Sequence, residues 1–196
     1  LLALLLWFPA SPCHAQANVS TRDVITGLNT PWEIVWGPDN WIWMTERSGV
    51  ISRVNPETGE QVELVKINDV YQSGESGLLG MAMHPNFADS PFVYVAYTYL
   101  QQGDIYQKLV RYLYNGGTLV NAQILLRGIP GNTTHDGSRI VIAPDRTLFM
   151  TTGDAQIQSA PQNRNSLNGK ILRLNLNGAV PFDNPFYSST ELSRFV

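Results

Sequence analysis

The chain has 196 residues, 43% of them hydrophobic and 15% charged, with a formal net charge of −3 and a pI near 5.5. So much apolar content with so few charges excludes a disordered chain and is enough for a sizeable core. The acidic balance and the absence of a basic run argue against nucleic acid or an anionic membrane surface as partner.

Residues 1–17 read as a partial secretory signal. Leu1 to Phe8 form an apolar segment too short to span a bilayer; Pro9 and Pro12 break it, and Ala15-Gln16-Ala17 is a small-x-small cleavage site before Asn18. The same prolines disfavour the alternative of a buried N-terminal helix. The single cysteine, Cys13, falls inside the signal, so the mature chain, residues 18–196, is expected to carry neither disulfides nor cysteine-bound metal. A cysteine-free exported protein fits a periplasmic or secreted location.

After the signal no 3.6-residue periodicity persists. Short runs rich in Val, Ile, Trp, Tyr and Thr alternate with Gly, Pro, Asn and Asp, which is the pattern of strands and turns. In chain order, strands are predicted over 32–36, 41–46, 50–54, 61–67, 78–83, 92–99, 107–114, 124–129, 139–143, 147–152 and 170–176. Three places repeat one hairpin. Trp36-Gly37-Pro38-Asp39-Asn40 joins the first pair of strands, Met83-His84-Pro85-Asn86 opens the turn of the second, and Ala143-Pro144-Asp145-Arg146 joins the third. Proline sets φ at each turn, and Asp or Asn tolerates the bend that follows.

These units recur every 45 to 60 residues or so, the spacing of four-stranded propeller blades. The fold class expected is therefore all-β, a β-propeller of about two and a half to three blades, read as the N-terminal part of a longer domain. A self-contained β-sandwich is the rival architecture, and the repeated hairpins disfavour it.

Among side chains with chemistry, His135 stands out, at the mouth of the strand beginning near Arg139. An imidazole at a strand end is a candidate proton acceptor. Glu75, in a Gly-rich loop, is a second candidate; loop carboxylates are more often merely solvated. His84 occupies a repeat turn and reads as structural. Asp136 and Arg139 flank the base, as support for it or as a surface pair. Asp154 reads as a strand-end cap rather than a catalytic group. Asp183 and Asn184 do not bring the six to eight oxygens that calcium needs. The tryptophans Trp32, Trp36, Trp41 and Trp43 are expected to pack between blades.

Several motifs then occur in order: Asn29-Thr30-Pro31-Trp32-Glu33, Thr45-Glu46-Arg47-Ser48-Gly49, Gly77-Leu78-Leu79-Gly80-Met81-Ala82 with His84-Pro85-Asn86-Phe87, His135 ahead of 139–145, Gly153-Asp154, and 168–175. Together they resemble the soluble sugar dehydrogenases that depend on pyrroloquinoline quinone (PQQ), the glucose/sorbosone dehydrogenase family. The resemblance implies a six-bladed propeller, PQQ and calcium as cofactors, and oxidation of an aldose sugar to its lactone. It also implies an external electron acceptor, a quinone or a cytochrome. It assigns His135 as the general base that takes the hydroxyl proton while hydride passes to the quinone. Glu75 stands where the family's glucose enzyme has a glutamine touching the active site, and Thr134 where it has an aspartate. The resemblance places the residues that hold PQQ and calcium after Val196. Two other readings are a non-catalytic propeller of the same family that binds a protein or glycan, as in Hedgehog-interacting proteins, and a calcium-dependent propeller lactonase.

Overall fold

A computed structural model describes residues 19–196; the signal, Cys13 and His14 lie outside the described residues. Among the described residues the regular elements are eleven strands and two single-turn 3-10 helices, Ala160–Gln162 and Leu192–Phe195. The first sheet runs β1 (Pro31–Trp36), β2 (Ile42–Glu46), β3 (Val50–Val54) and β4 (Gln61–Lys66). The second holds β5 (Leu78–Met83), β6 (Phe92–Gln101), β7 (Asp104–Tyr114) and β8 (Leu119–Pro130). The third holds β9 (Gly137–Ile142), β10 (Thr147–Thr152) and β11 (Ile171–Asn175). Within each sheet the strands pair antiparallel with their sequence neighbours, giving orders β1-β2-β3-β4, β5-β6-β7-β8 and β11-β10-β9.

The first strands of the sheets, β1, β5 and β9, adjoin one another, as the inner strands of successive propeller blades do. The chain is thus a β-propeller segment of two complete four-stranded blades and a three-stranded third. β6 shows why the blades stack. Its side chains alternate, sending Val93, Val95 and Tyr97 into a cluster with Trp43, Ile51, Leu64 and Met81. Tyr94 and Ala96 enter a second cluster with Ile140, Leu148, Met150 and Leu172. A strand buried on both faces reads as a continuous apolar run, as Phe92 to Tyr99 does. The inner strands meet at backbone distance: a Cβ at Gly80 would collide with the Ser138 carbonyl oxygen of the next blade. Thr45 donates its hydroxyl to the Leu79 carbonyl at 2.7 Å, tying the first blade to the second.

All eleven predicted strands are present, and the middle blade is longer than its sequence pattern. β6 and β7 continue to a two-residue turn at Gln102-Gly103, both with positive φ (54° and 94°). Gln-Gly is not the usual signature of such a turn, and the polar run beside it reads as loop. β8 begins at Leu119 rather than near 124, as an outer strand whose pairing with β7 is interrupted by bulges and whose residues 121–124 are exposed.

The tryptophans divide. Trp43 is fully buried between the first two blades, and Trp41 packs against the same cluster under the Arg53 guanidinium. Trp36 is 61% exposed and lines a cavity of about 600 Å³ along β1, β5 and β9, contrary to the expectation that it packs between blades. It stands on β1, whose other flank meets no blade among the described residues.

Candidate active site

His135 lies on the loop that leaves β8 of the second blade and enters β9 of the third. The loop is held through several of its backbone groups. Asn132 donates its N–H to the Asp136 carboxylate at 3.0 Å; the Asp136 carbonyl accepts from Gly153 N–H (2.9 Å) and the His135 carbonyl from Ala155 N–H (3.1 Å). Position 153 must be glycine for this, because a Cβ there would run into the His135 carbonyl oxygen. His135 itself has φ +62°, a left-handed backbone that is costly for a non-glycine residue and persists only where its surroundings enforce it.

Two carboxylates address His135 from different loops. Glu75, ahead of β5, accepts the His135 backbone N–H at 3.0 Å through Oε2, while its own N–H donates to the Thr133 carbonyl at 2.6 Å. Arg47, from the β2–β3 turn, holds the Glu75 loop by donating to the carbonyls of Gly74 and Ser76. Asp154, just after β10, places Oδ1 3.0 Å from His135 Nδ1 and also accepts the Gln156 N–H at 3.0 Å. The hydrogen bond from Gln156, then that from His135, holds the Asp154 carboxyl below the usual carboxylate range. An ionised carboxylate can only accept, so Nδ1 carries a proton, and in the neutral ring it is Nε2 that has the lone pair. Nε2 has no protein partner among the described residues, and the ring is 57% exposed.

Asp136 is a third carboxyl. It is 2% exposed, and its Oδ2 is buried without a partner among the described residues. Burial pushes it up to about 6, against the pull of the Asn132 N–H.

The two predicted site residues, His135 and Glu75, are thus brought together, though Glu75 reaches the backbone of His135. Asp154, read as a cap, caps through Gln156 and also fixes the imidazole; nothing in a spacing of nineteen residues announces that contact. Thr134 carries no charge to the base and accepts a hydrogen bond from the Gln156 amide. Asp136 is not one half of a surface pair, because the fold buries it. Arg139 pairs with Glu33 on β1 and lies 4.5 Å over the Trp32 ring. His84 accepts the Asn86 N–H at 3.1 Å and meets Phe92 edge-on, a structural role. Asp183 and Asn184 both grip Arg173. The 600 Å³ cavity is lined by Arg139, Glu33, His84 and apolar residues and not by His135.

Among the described residues no cluster of three or more His, Cys, Asp or Glu could hold a metal, and no helix is long and apolar enough to cross a membrane. The surroundings of His135 do not by themselves suit an anionic quinone. Its three neighbouring side chains with charge are carboxyls, Arg47 is engaged with carbonyls, and Arg139 is engaged with Glu33.

Blades joined through their inner strands, with an imidazole held at Nδ1 on the loops at one end, define a β-propeller segment that presents an oriented histidine. Residues 28–196 match the family Glucose / Sorbosone dehydrogenase, and the chain belongs to it. It is 34% identical to quinoprotein glucose dehydrogenase B of Acinetobacter calcoaceticus, covering 87% of this chain and 42% of that protein. The solved PQQ-bound aldose sugar dehydrogenase of Streptomyces coelicolor superposes with a TM-score of 0.78 at 37% identity, over 86% of this chain and 51% of that one. The mouse Hedgehog-interacting protein matches at 26% identity, over 91% of this chain and 30% of its own length. The chain spans about half the length, or less, of these relatives.

Proposed function

We propose that this chain supplies the base side of a PQQ-dependent sugar dehydrogenase that oxidises an aldose at its anomeric carbon to the lactone. The observation that carries this reading is the His135–Asp154 pair: a ring held at Nδ1, with Nε2 unpartnered among the described residues and the side chain 57% exposed. Nε2 accepts the anomeric hydroxyl proton as the C1–H bond breaks and the carbonyl forms. Removing the proton in that step avoids a cationic sugar. Asp154 stabilises the imidazolium that results and keeps the ring from rotating, while Glu75 and Asp136 hold the loop beneath it. The quinone, when bound, supplies the acceptor for the hydride. Calcium is the second cofactor of the proposed enzyme. An external quinone or cytochrome would then take the electrons onward. Residues 1–17 direct export to the periplasm or medium, leaving 18–196 as propeller.

The test uses the full-length protein without its signal, reconstituted with PQQ and calcium, and follows aldose-dependent reduction of an artificial electron acceptor against a cofactor-free control. Turnover that requires the quinone supports the dehydrogenase. Absence of turnover together with absence of quinone binding would leave the non-catalytic propeller, the reading that the match to a Hedgehog-interacting protein keeps in view.

A further inference from the structure

Asn168 sits in the turn before β11 and is completely buried. Its side-chain nitrogen donates to the Pro130 carbonyl at 2.7 Å and to the Gly153 carbonyl at 3.2 Å. A carbonyl only accepts, so the nitrogen of the amide, with its two N–H groups, faces both. Pro130 ends β8 in the second blade, at the root of the loop that carries His135. Gly153 follows β10 in the third blade and directly precedes Asp154. One buried amide therefore ties the roots of the two loops that bring the base and its carboxylate partner together.

The anchor is itself fixed. The Asn168 N–H donates to Ser166 Oγ at 3.1 Å, and its carbonyl accepts from Lys170 Nζ at 2.9 Å. The next residue, Gly169, donates its N–H to the same Gly153 carbonyl at 2.8 Å. On the other side, the Pro130 carbonyl also accepts from the Gln107 amide at 3.3 Å, and Gln107 accepts the Ser138 hydroxyl at 2.9 Å. Gln107 and Ser138 are fully buried as well, so a polar seam crosses from blade to blade beneath the His135 loop. As packing alone, Asn168 is a poor choice. Its Oδ1 is buried without a partner among the described residues, and a leucine of similar size would avoid that desolvation. A leucine could not hold two carbonyl oxygens to one point. The strained backbone of His135, with φ +62°, relaxes when its surroundings loosen. The 3.0 Å contact from His135 Nδ1 to Asp154 Oδ1 depends on that point.

We infer that Asn168 is a positioning residue for the base: it holds the His135 and Asp154 loops at the separation that keeps the imidazole in its Nδ1–H form. Being buried, it acts only through that pair. Its effect on turnover rests on the dehydrogenase reading, and its effect on the ring does not.

The experiment uses the full-length protein labelled with nitrogen-15 in histidine. The ring-nitrogen shifts read the tautomer of the neutral His135 imidazole, and His135→Ala assigns the signal. The native protein is expected to show the Nδ1–H form, and Asn168→Leu a mixture of the two tautomers. After reconstitution with PQQ and calcium, Asn168→Leu should lower kcat about 10- to 100-fold, with KM changed less than about twofold. In an Asp154→Asn background the same substitution should change kcat by less than about twofold, because the contact it serves is already lost. Val95→Ala, in the core between the first two blades, supplies a destabilised protein whose tautomer and kcat should stay native. Asn168→Ser can donate to only one of the two carbonyls and should give an intermediate loss; it carries the test where Asn168→Leu does not fold. A native tautomer in a folded Asn168 variant, the same effects in Val95→Ala, or an undiminished kcat effect on top of Asp154→Asn overturns the positioning role. A mixed tautomer in the Asn168 variant with no turnover in any protein removes the dehydrogenase and leaves Asn168 as the organiser of the pair.

Discussion

His135 holds a strained backbone, and the groups that enforce it differ in what they would cost if lost. Asp154 acts on the ring, so Asp154→Asn should leave the fold intact and lower kcat by about 10²-fold, since an amide permits the wrong tautomer. His135→Ala should lose about 10²–10⁴-fold; a variant that keeps its turnover would remove His135 as the base. Glu75 acts on the main chain. Glu75→Gln retains an acceptor for the His135 N–H and should cost less than about tenfold, whereas Glu75→Ala leaves that N–H without its acceptor and should cost more. If the glutamine variant instead changes sugar preference, Glu75 touches substrate as well. Asp136 predicts a pH effect on stability. Its folded value, about 6, lies above its unfolded one, so the folded protein holds the proton more tightly and stability falls as pH rises from about 4 to 6. Asp136→Asn, which keeps the acceptor for Asn132, should stabilise the full-length protein by about 1–3 kcal/mol at pH 7.5 and by little at pH 4. Thermal melts at the two pH values check the sign.

At the level of elements, the site depends on two inner-strand entrances and the exit of a neighbouring strand lying together. The loop before β5 supplies Glu75, the loop before β9 supplies His135, and the loop after β10 supplies Asp154. Their spacing is set by close backbone contact between blades rather than by the loops. Gly80 on β5 meets the Ser138 carbonyl near the start of β9, and Gly153 meets the His135 carbonyl. Gly80→Ala should therefore separate the second and third blades and cost about 1–3 kcal/mol, with loss of activity following loss of melting temperature. Gly153→Ala should displace His135 directly, so activity should fall further than stability. Equal losses in both variants would mean that the two glycines serve packing only.

For the whole molecule, the two apolar clusters each lie between blades, so no blade has a core of its own and stability is shared across the interfaces. The ion pair between Arg139 and Glu33 reaches from the third blade to the first. Glu33 is 8% exposed, and Arg139→Met would leave its carboxylate without that partner. We expect a loss of about 1–2 kcal/mol, moderated because the guanidinium side is open to solvent. Denaturant melts of the full-length protein at low and high salt measure it. A change that vanishes in high salt would make the pair a surface interaction.

Strands were legible because alternating and continuous apolar runs have a local cause: a side chain on a pleated strand faces a core or it does not. The Pro-Asp and Pro-Asn turns repeated that cause three times, and the propeller followed. His135 was legible for the same local reason, as an imidazole at a strand mouth in an ordered set of motifs. The length of β6 and β7 was not, because a Gln-Gly turn is enforced by the ladder beneath it and not by its own residues. Nor were the partners of the base. Asp154 and Glu75 lie 19 and 60 residues from His135, and a carboxylate in a loop has the same sequence signature whether it is solvated, caps a strand or orients a ring. The burial of Asp136 and the exposure of Trp36 likewise depend on which blade stands alongside. Side-chain type and local pattern determined the strands, the turns and the choice of His135 as the candidate base. Packing of one blade on the next alone decided which carboxylate holds it and which is kept from water.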